Sequence, residues 1–257
     1  MNFQFAFHTD VGIQKMTNQD SCCMRQAETD KGNILFALIC DGMGGLSKGE
    51  LASATLIRAF ANWFENNLPI ILAKENPLDE TKYIWDRMMK QQNQIISAYG
   101  KENNIQLGST ITALLILEDG QYLIGHVGDT RVYKITDQLA EVLTEDQTLV
   151  AREVKNGRLA PELAEKDPRR NVLLQCIGAS KVVTPAFYEG KAIKNECFLL
   201  CSDGFRHEIT TEEIISDLAP SANHSEKEIK EHIIRLIDLN KIRHETDNIT
   251  ALLIKTV

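Results

Sequence analysis

The chain has 257 residues, 43% of them hydrophobic, enough to bury a sizeable core as one large domain or two small ones. Its 36 acidic and 28 basic residues give a formal charge of -8, which argues against a nucleic-acid surface, where clustered Lys and Arg would be needed to displace counterions. No apolar segment approaches the roughly 18 residues needed to cross a bilayer, and MNFQFAFHTD lacks a basic region followed by a long apolar run, so no membrane insertion and a cytoplasmic location are expected.

In chain order, an apolar run of strand length covers Ile34 to Cys40. A helix follows between Lys48 and Leu68, where Leu51, Thr55, Leu56, Ala59, Phe60 and Trp63 fall on one face. Ile84, Met88, Gln92, Ile95 and Tyr99 repeat that spacing and predict a second helix. Strand-length runs resume at Thr110 to Leu117, Tyr122 to Val127 and Arg131 to Ile135, several of them β-branched and bounded by Gly, Asp or Asn. From Glu145 to Asn171 the chain is charged and contains two prolines, which fits an insertion laid over one face of the scaffold. Strands at Cys197 to Cys201 and Ile249 to Ile254 enclose a third helix, Ser225 to Asn240, with Ile229, Ile233, Leu236 and Ile237 as its stripe.

No solenoid-length repeat, low-complexity tract or Pro/Ser-rich linker interrupts the chain, so a single domain over residues 1–257 is expected. Strands bunched together with helices segregated between them predict an α+β layered sandwich rather than alternating βαβ units. Of the six cysteines, Cys40 and Cys201 sit inside apolar runs, Cys22 and Cys23 are adjacent, and no C-x-x-C occurs, so buried reduced thiols are expected.

Five aspartates stand at the ends of apolar strands: Asp20 in TNQDSCCM, Asp41 in FALICDGMGG, Asp129 in YLIGHVGDTRVYKI, Asp203 in CFLLCSDGF and Asp247 in TDNITALLI. Taken singly, an Asp-Gly pair makes a turn, because Asp tolerates turn geometry and Gly supplies positive φ. Converging at one sheet edge, such carboxylates would repel one another unless cations neutralised them. Oxygen ligands without His or Cys at ligand spacing point to hard divalent ions such as Mg²⁺ or Mn²⁺ rather than zinc. Gly42 could then turn its carbonyl toward the same ion, while Gly44 and Gly45 would let substrate or water approach.

The segments TDVGIQKMTNQDS, ALICDGMGGLSKGELAS, GSTITALLI, HVGDTRVYKI, LTEDQTLV, NVLLQCIG, LLCSDGF and TDNITALLI resemble, in order, the motifs of the metal-dependent protein phosphatases (PPM, type 2C), in particular compact bacterial members. The resemblance covers the chain from about residue 5 to its end. It implies a four-layer α-β-β-α sandwich of two antiparallel sheets flanked by helices, and hydrolysis of phosphoserine or phosphothreonine by a hydroxide bridging two Mn²⁺ or Mg²⁺ ions. It further implies that Asp41 bridges both ions, that Gly42 offers its carbonyl to one with Asp20 on that side, and that Asp203 and Asp247 hold the other. A third ion on Asp129 and Asp203 is implied by bacterial relatives. The two-metal logic requires ions that acidify a shared water and neutralise the phosphoryl oxygens. No Cys-x5-Arg loop is present, which counts against a cysteine-nucleophile phosphatase.

Several positions depart from the family's pattern. Lys15 stands where most relatives carry an arginine that grips the substrate phosphate, and lysine lacks the bidentate fork, so weaker or less oriented phosphate binding is expected. The T-x-D-H motif reads TEDQ, with Gln147 in place of the histidine, and Met43 follows the Asp-Gly pair where distant animal members have a histidine. His126, inside a strand, reads as a packed core histidine. The Glu145 to Asn171 insertion corresponds to the family's flap, where Arg169 and Arg170 could touch an acidic or phosphorylated substrate or simply form a solvated basic pair.

The leading expectation is therefore a monomeric protein serine/threonine phosphatase, with phosphoproteins as substrates and a bacterial Hanks-type kinase as its counterpart. Alternatives are a pseudophosphatase that binds phosphoprotein without turnover and a two-metal nuclease or small phosphoester hydrolase. Retention of all the expected aspartates weighs against the first alternative, and the acidic surface weighs against the second.

Overall fold

The structure, a computed structural model, describes residues 1–43, 48–164 and 166–257. The chain opens with the strands β1 (Phe3–Asp10), β2 (Ser21–Thr29) and β3 (Gly32–Cys40), followed by the helices α1 (Gly49–Asn66), α2 (Leu68–Ile71) and α3 (Pro77–Asn103). Four strands come next, β4 (Ile111–Ile116), β5 (Gln121–Val127), β6 (Arg131–Ile135) and β7 (Ala140–Val142), then the short helices α4 (Leu149–Lys155) and α5 (Pro161–Ala164). The last part holds β8 (Ala186–Lys191), β9 (Cys197–Cys201), α6 (Asp203–Arg206), α7 (Thr211–Leu218), α8 (Glu226–Ile242) and β10 (Ile249–Thr256).

The strands form two five-stranded sheets, ordered β1-β10-β9-β6-β7 and β2-β3-β4-β5-β8, and all pairings are antiparallel. The unbroken apolar run of β3 follows from being covered on both faces. Ile34, Phe36, Leu38 and Cys40 pack against α1 and α3, while Leu35, Ala37 and Ile39 face the opposite sheet. In β10, Ala251 and Leu253 meet α7 and α8, and Leu252 and Ile254 meet the other sheet. The order of layers is helices, sheet, sheet, helices, with the shared core between the sheets formed by residues such as Phe198, Tyr122 and Ile39. Under α1 and α3, Trp63 and Trp85 pack edge to face at 5.2 Å, a geometry that adds about 1 kcal/mol to the area they bury.

The predicted strands and three long helices are present with ends shifted by a few residues, most of all at the second helix, which begins at Pro77. The Glu145 to Asn171 segment carries α4 and α5 and belongs to a longer crossing that leaves one sheet at β7 and enters the other at β8. A bridge between Thr148 and Leu173 ties its two limbs together. All six cysteines are free, and burial pushes the thiols of Cys197 and Cys201 up to about 12.

Candidate functional site

The aspartates lie where strands of the two sheets end. Asp41 follows β3, and its backbone is held from both sides: its N–H donates to Oγ1 of Thr110 at 2.9 Å, while its carbonyl accepts from the Thr110 N–H at 2.8 Å and the Ser109 hydroxyl at 3.0 Å. Gly42 then donates to the carbonyl of Gln19 at 3.1 Å. A Cβ on Gly42 would stand 2.5 Å from the carbonyl oxygens of Gln19 and Gly49, so the glycine allows three backbone segments to meet beside Asp41. Gly44 and Gly45, expected to give substrate room, lie outside the described residues.

Asp20 immediately precedes β2 and is buried. The loop before it is organised by Asn248, whose Oδ1 accepts from the Gln19 N–H at 2.8 Å and whose Nδ2 donates to the carbonyls of Val11 at 2.9 Å and Thr17 at 3.2 Å. That loop delivers Lys15, whose Nζ lies 2.8 Å from Oδ1 of Asp247. Burial alone would lower the lysine pKa, but Asp247, Asp41 and Asp203 hold it above its ordinary value.

Asp203 opens α6 after β9, and Asp247 stands two residues before β10. A Cβ on Gly204 would be 2.2 Å from the carbonyl oxygen of Asn248, so this glycine lets the two loops close on each other. Glu245 joins them from behind. Its Oε1 accepts from the N–H groups of Thr246 at 2.7 Å and Asp247 at 2.8 Å, and its Oε2 meets Nδ1 of His207 at 3.1 Å. The other ring nitrogen of His207 is 3.7 Å from Oδ2 of Asp203.

The electrostatics are those of a site short of positive charge. Burial, and then Asp20, Asp203, Asp129 and Asp247, push Asp41 well above the usual carboxylate range. Burial likewise pushes Asp20 up to about 7, tempered by the nearby Thr250 and Ser202 hydroxyls and reinforced by Asp203 and Asp247. Those hydroxyls are bonded elsewhere, Thr250 to Thr9 and Ser202 to the Thr250 backbone, and neither oxygen of Asp20, nor Oδ1 of Asp203, has a hydrogen-bond partner of its own. Buried carboxylate oxygens without donors are costly, and orphaned oxygens of this kind suit a hard cation. Among the described residues no three His, Cys, Asp or Glu side chains surround one point as they stand. The orphaned oxygens of Asp20 and Asp203 are what fit an ion.

A family model described as protein phosphatase 2C matches residues 12–238. The chain belongs to the protein phosphatase 2C family. It is an enzyme, a protein phosphatase, and its relatives cover it end to end. It is 29% identical over 252 residues to the serine/threonine phosphatase stp of Listeria monocytogenes, covering 97% of this chain and 94% of that one. Among solved structures, the Streptococcus agalactiae serine/threonine phosphatase is 27% identical with a TM-score of 0.85, covering 100% of both chains. The catalytic domain of serine threonine protein phosphatase PstP, solved in complex with 2 manganese ions, is 26% identical with a TM-score of 0.77, covering 98% of this chain and 97% of that one.

In the phosphatase, Asp129 follows β5, is buried and has a cation close by. Nη2 of Arg206 donates to the Asp129 carbonyl at 3.3 Å and lies 3.8 Å from its Oδ2. Arg131 grips Asp146 in a bidentate pair at 2.8 and 2.7 Å. Burial would raise the Asp146 pKa, yet Arg131 and Arg206 hold it below its ordinary value. Gln147, in the position of the family's histidine, accepts from the Gly128 N–H at 2.9 Å and fastens the loop that carries Asp129. His126 is fully buried, with Nδ1 2.8 Å from the Thr112 hydroxyl.

Beneath α4 and α5 the phosphatase has a cavity of about 540 Å³ whose walls include Arg131, Asp146, Arg170, Arg206 and His207, so His207 borders both the cavity and Asp203. Arg170 thus stands at the cleft, whereas Arg169 is turned outward and paired with Asp167 at 2.7 Å. Sequence reasoning assigned no role to Glu245, His207, Asn248 or Arg206. The basic pair directly after LLCSDGF was the available signal for two of them.

Proposed function

We propose that this phosphatase hydrolyses phosphoserine and phosphothreonine monoesters of proteins with two divalent ions, Mn²⁺ or Mg²⁺, in opposition to a bacterial Hanks-type kinase. The carrying observation is Asp20, a buried carboxylate with two unpartnered oxygens beside Asp41, Asp203 and Asp247. The two manganese ions named for the PstP catalytic domain support the same reading. Asp41, Asp20, the Gly42 carbonyl, Asp203 and Asp247 would hold the ions. When bound, the ions supply a water acidic enough to be deprotonated near neutral pH and charge to offset that of the phosphoryl oxygens.

The chain's own residues do the rest. Lys15, on its loop between Val11 and Gln19, exchanges the Asp247 carboxylate for the substrate phosphate and orients it as a point charge. Glu245 and His207 fix Asp203 and Asp247 relative to each other, so the two carboxylates keep their places as the charge on the phosphate changes. The cavity beside His207 receives the polypeptide that flanks the phosphorylated residue, with Arg170 in its wall. In this reading residues 1–257 act as one catalytic domain, monomeric and cytoplasmic, and the segment near residues 145–171 is the flap that sets substrate choice.

The test is phosphate release from a phosphothreonine peptide with Mn²⁺, with Mg²⁺ and with EDTA, for the parent chain and Asp203→Asn. Metal-dependent turnover that disappears in the variant is expected. Metal binding without turnover in the parent would overturn the hydrolase and favour phosphoprotein binding.

A further inference from the structure

Two pairs of opposite charge, one part-buried and one largely buried, lie side by side at the Asp129 edge of the site. Asp146 is already matched by Arg131, whose Nε and Nη2 occupy both of its oxygens at 2.8 and 2.7 Å. The second cation, Arg206, reaches Asp146 Oδ2 at 3.3 Å with the same Nη2 that faces the carbonyl and carboxylate of Asp129. Two guanidiniums therefore face Asp146 and Asp129, and Arg206 also lies in the field of Asp203.

The Asp20 side of the site contrasts with this. There neither oxygen of Asp20 has a partner, and Lys15, which pairs with Asp247, sits on an irregular loop. Arg206 instead ends the same helical turn that Asp203 begins, and the following residue, His207, is bonded to Glu245. Its side chain is only 14% exposed. A guanidinium keeps its charge at any pH the fold survives, so it cannot step aside by losing a proton as an ammonium can. A divalent ion placed between Asp129 and Asp203 would meet that fixed charge at close range.

We propose that Arg206 is a tethered cation that closes the Asp129–Asp203 edge to metal, so that this chain binds two divalent ions and excludes a third. The inference rests on the two-ion reading above and replaces the expectation of a third ion on Asp129. Arg206 is in this sense a stoichiometry-setting residue, and its effect is read by counting ions.

The experiment titrates the full chain with Mn²⁺ alone, counting free Mn²⁺ by electron paramagnetic resonance and bound ions by native mass spectrometry. The parent should saturate at two ions and Arg206→Ser at three. Adding Asp129→Asn to Arg206→Ser should return the count to two. If Arg206→Ser does not fold, Arg206→Gln, which keeps the shape and removes the charge, carries the same expectation of three. Three ions in the parent, or two in both neutral variants, would overturn the role of Arg206 while leaving the two-ion site intact. No ions in the parent would instead overturn the proposed function itself.

Discussion

The ammonium of Lys15 lies 2.8 Å from Oδ1 of Asp247, within the field of Asp41 and Asp203. In the proposed function, an ion entering this cluster would compete with that charge. Lys15→Met should therefore bind Mn²⁺ more tightly than the parent in calorimetric titration, while its KM for a phosphopeptide rises. Lys15→Arg should lower KM, because a guanidinium can fork onto two phosphate oxygens. Weaker Mn²⁺ binding by Lys15→Met would show that the lysine does not stand in the ions' way.

Asp20 pits function against stability. Its burial beside three other carboxylates is unfavourable without an ion, so Asp20→Asn should raise the melting temperature in EDTA. A gain of about 1 kcal/mol corresponds to roughly 2–4 °C for a chain of this size. The same variant should lose most of the further stabilisation that Mn²⁺ gives the parent, and most of its turnover. Melting curves with EDTA and with Mn²⁺ decide it; a lower melting temperature in EDTA would mean that the carboxylate stabilises the fold.

His126 predicts a pH dependence of stability. Burial holds its pKa down to about 4, against 6.5 when exposed. Between those values the unfolded chain binds one proton more than the folded one, so this term removes stability as pH falls, by up to about 1.4 kcal/mol per pH unit. Asp20 and Asp129, raised from 3.8 to about 7, act in the opposite direction, since the folded chain then holds the extra protons and their contribution falls as pH rises. Urea denaturation in EDTA between pH 4.5 and 7.5 separates the two when the parent is compared with His126→Gln. The variant should gain on the parent steadily as the pH is lowered, and parallel curves would show that His126 titrates normally.

Gly42→Ala tests the packing around Asp41. The added methyl would stand 2.5 Å from two backbone oxygens that have no flexible end to move aside. Strain of this kind costs about 1–3 kcal/mol, so lower stability together with weaker Mn²⁺ binding is expected. An alanine variant with parental melting and Mn²⁺ affinity would show that no close approach is needed there.

The sequence was most legible where structure is decided locally or on both faces at once. The strands β3 and β9 are continuous apolar runs because helices cover one face and the opposite sheet the other. β1 was not read as a strand, since it is an edge strand with mostly half-buried residues, and the nine residues of β2 mix Ser, Arg, Gln and Glu with two cysteines. The aspartates announced themselves as carboxylates at strand ends. Their supports did not: Arg206 acts on Asp129 across 77 positions, and Asn248 organises a loop 231 positions away at Thr17. Contacts of that separation leave no periodicity in a single sequence.

The division of the aspartates between the layers has a consequence for how the protein comes into being. Asp20 and Asp41 belong to the sheet of β2 and β3, Asp203 and Asp247 to that of β9 and β10, and Asp129 to the connection between them. A newly made chain in which the halves have folded but not docked owns only fragments of a site. In the proposed reading the five carboxylates are neighbours only when the two sheets are docked, so the site depends on the packing between the layers rather than on either sheet alone.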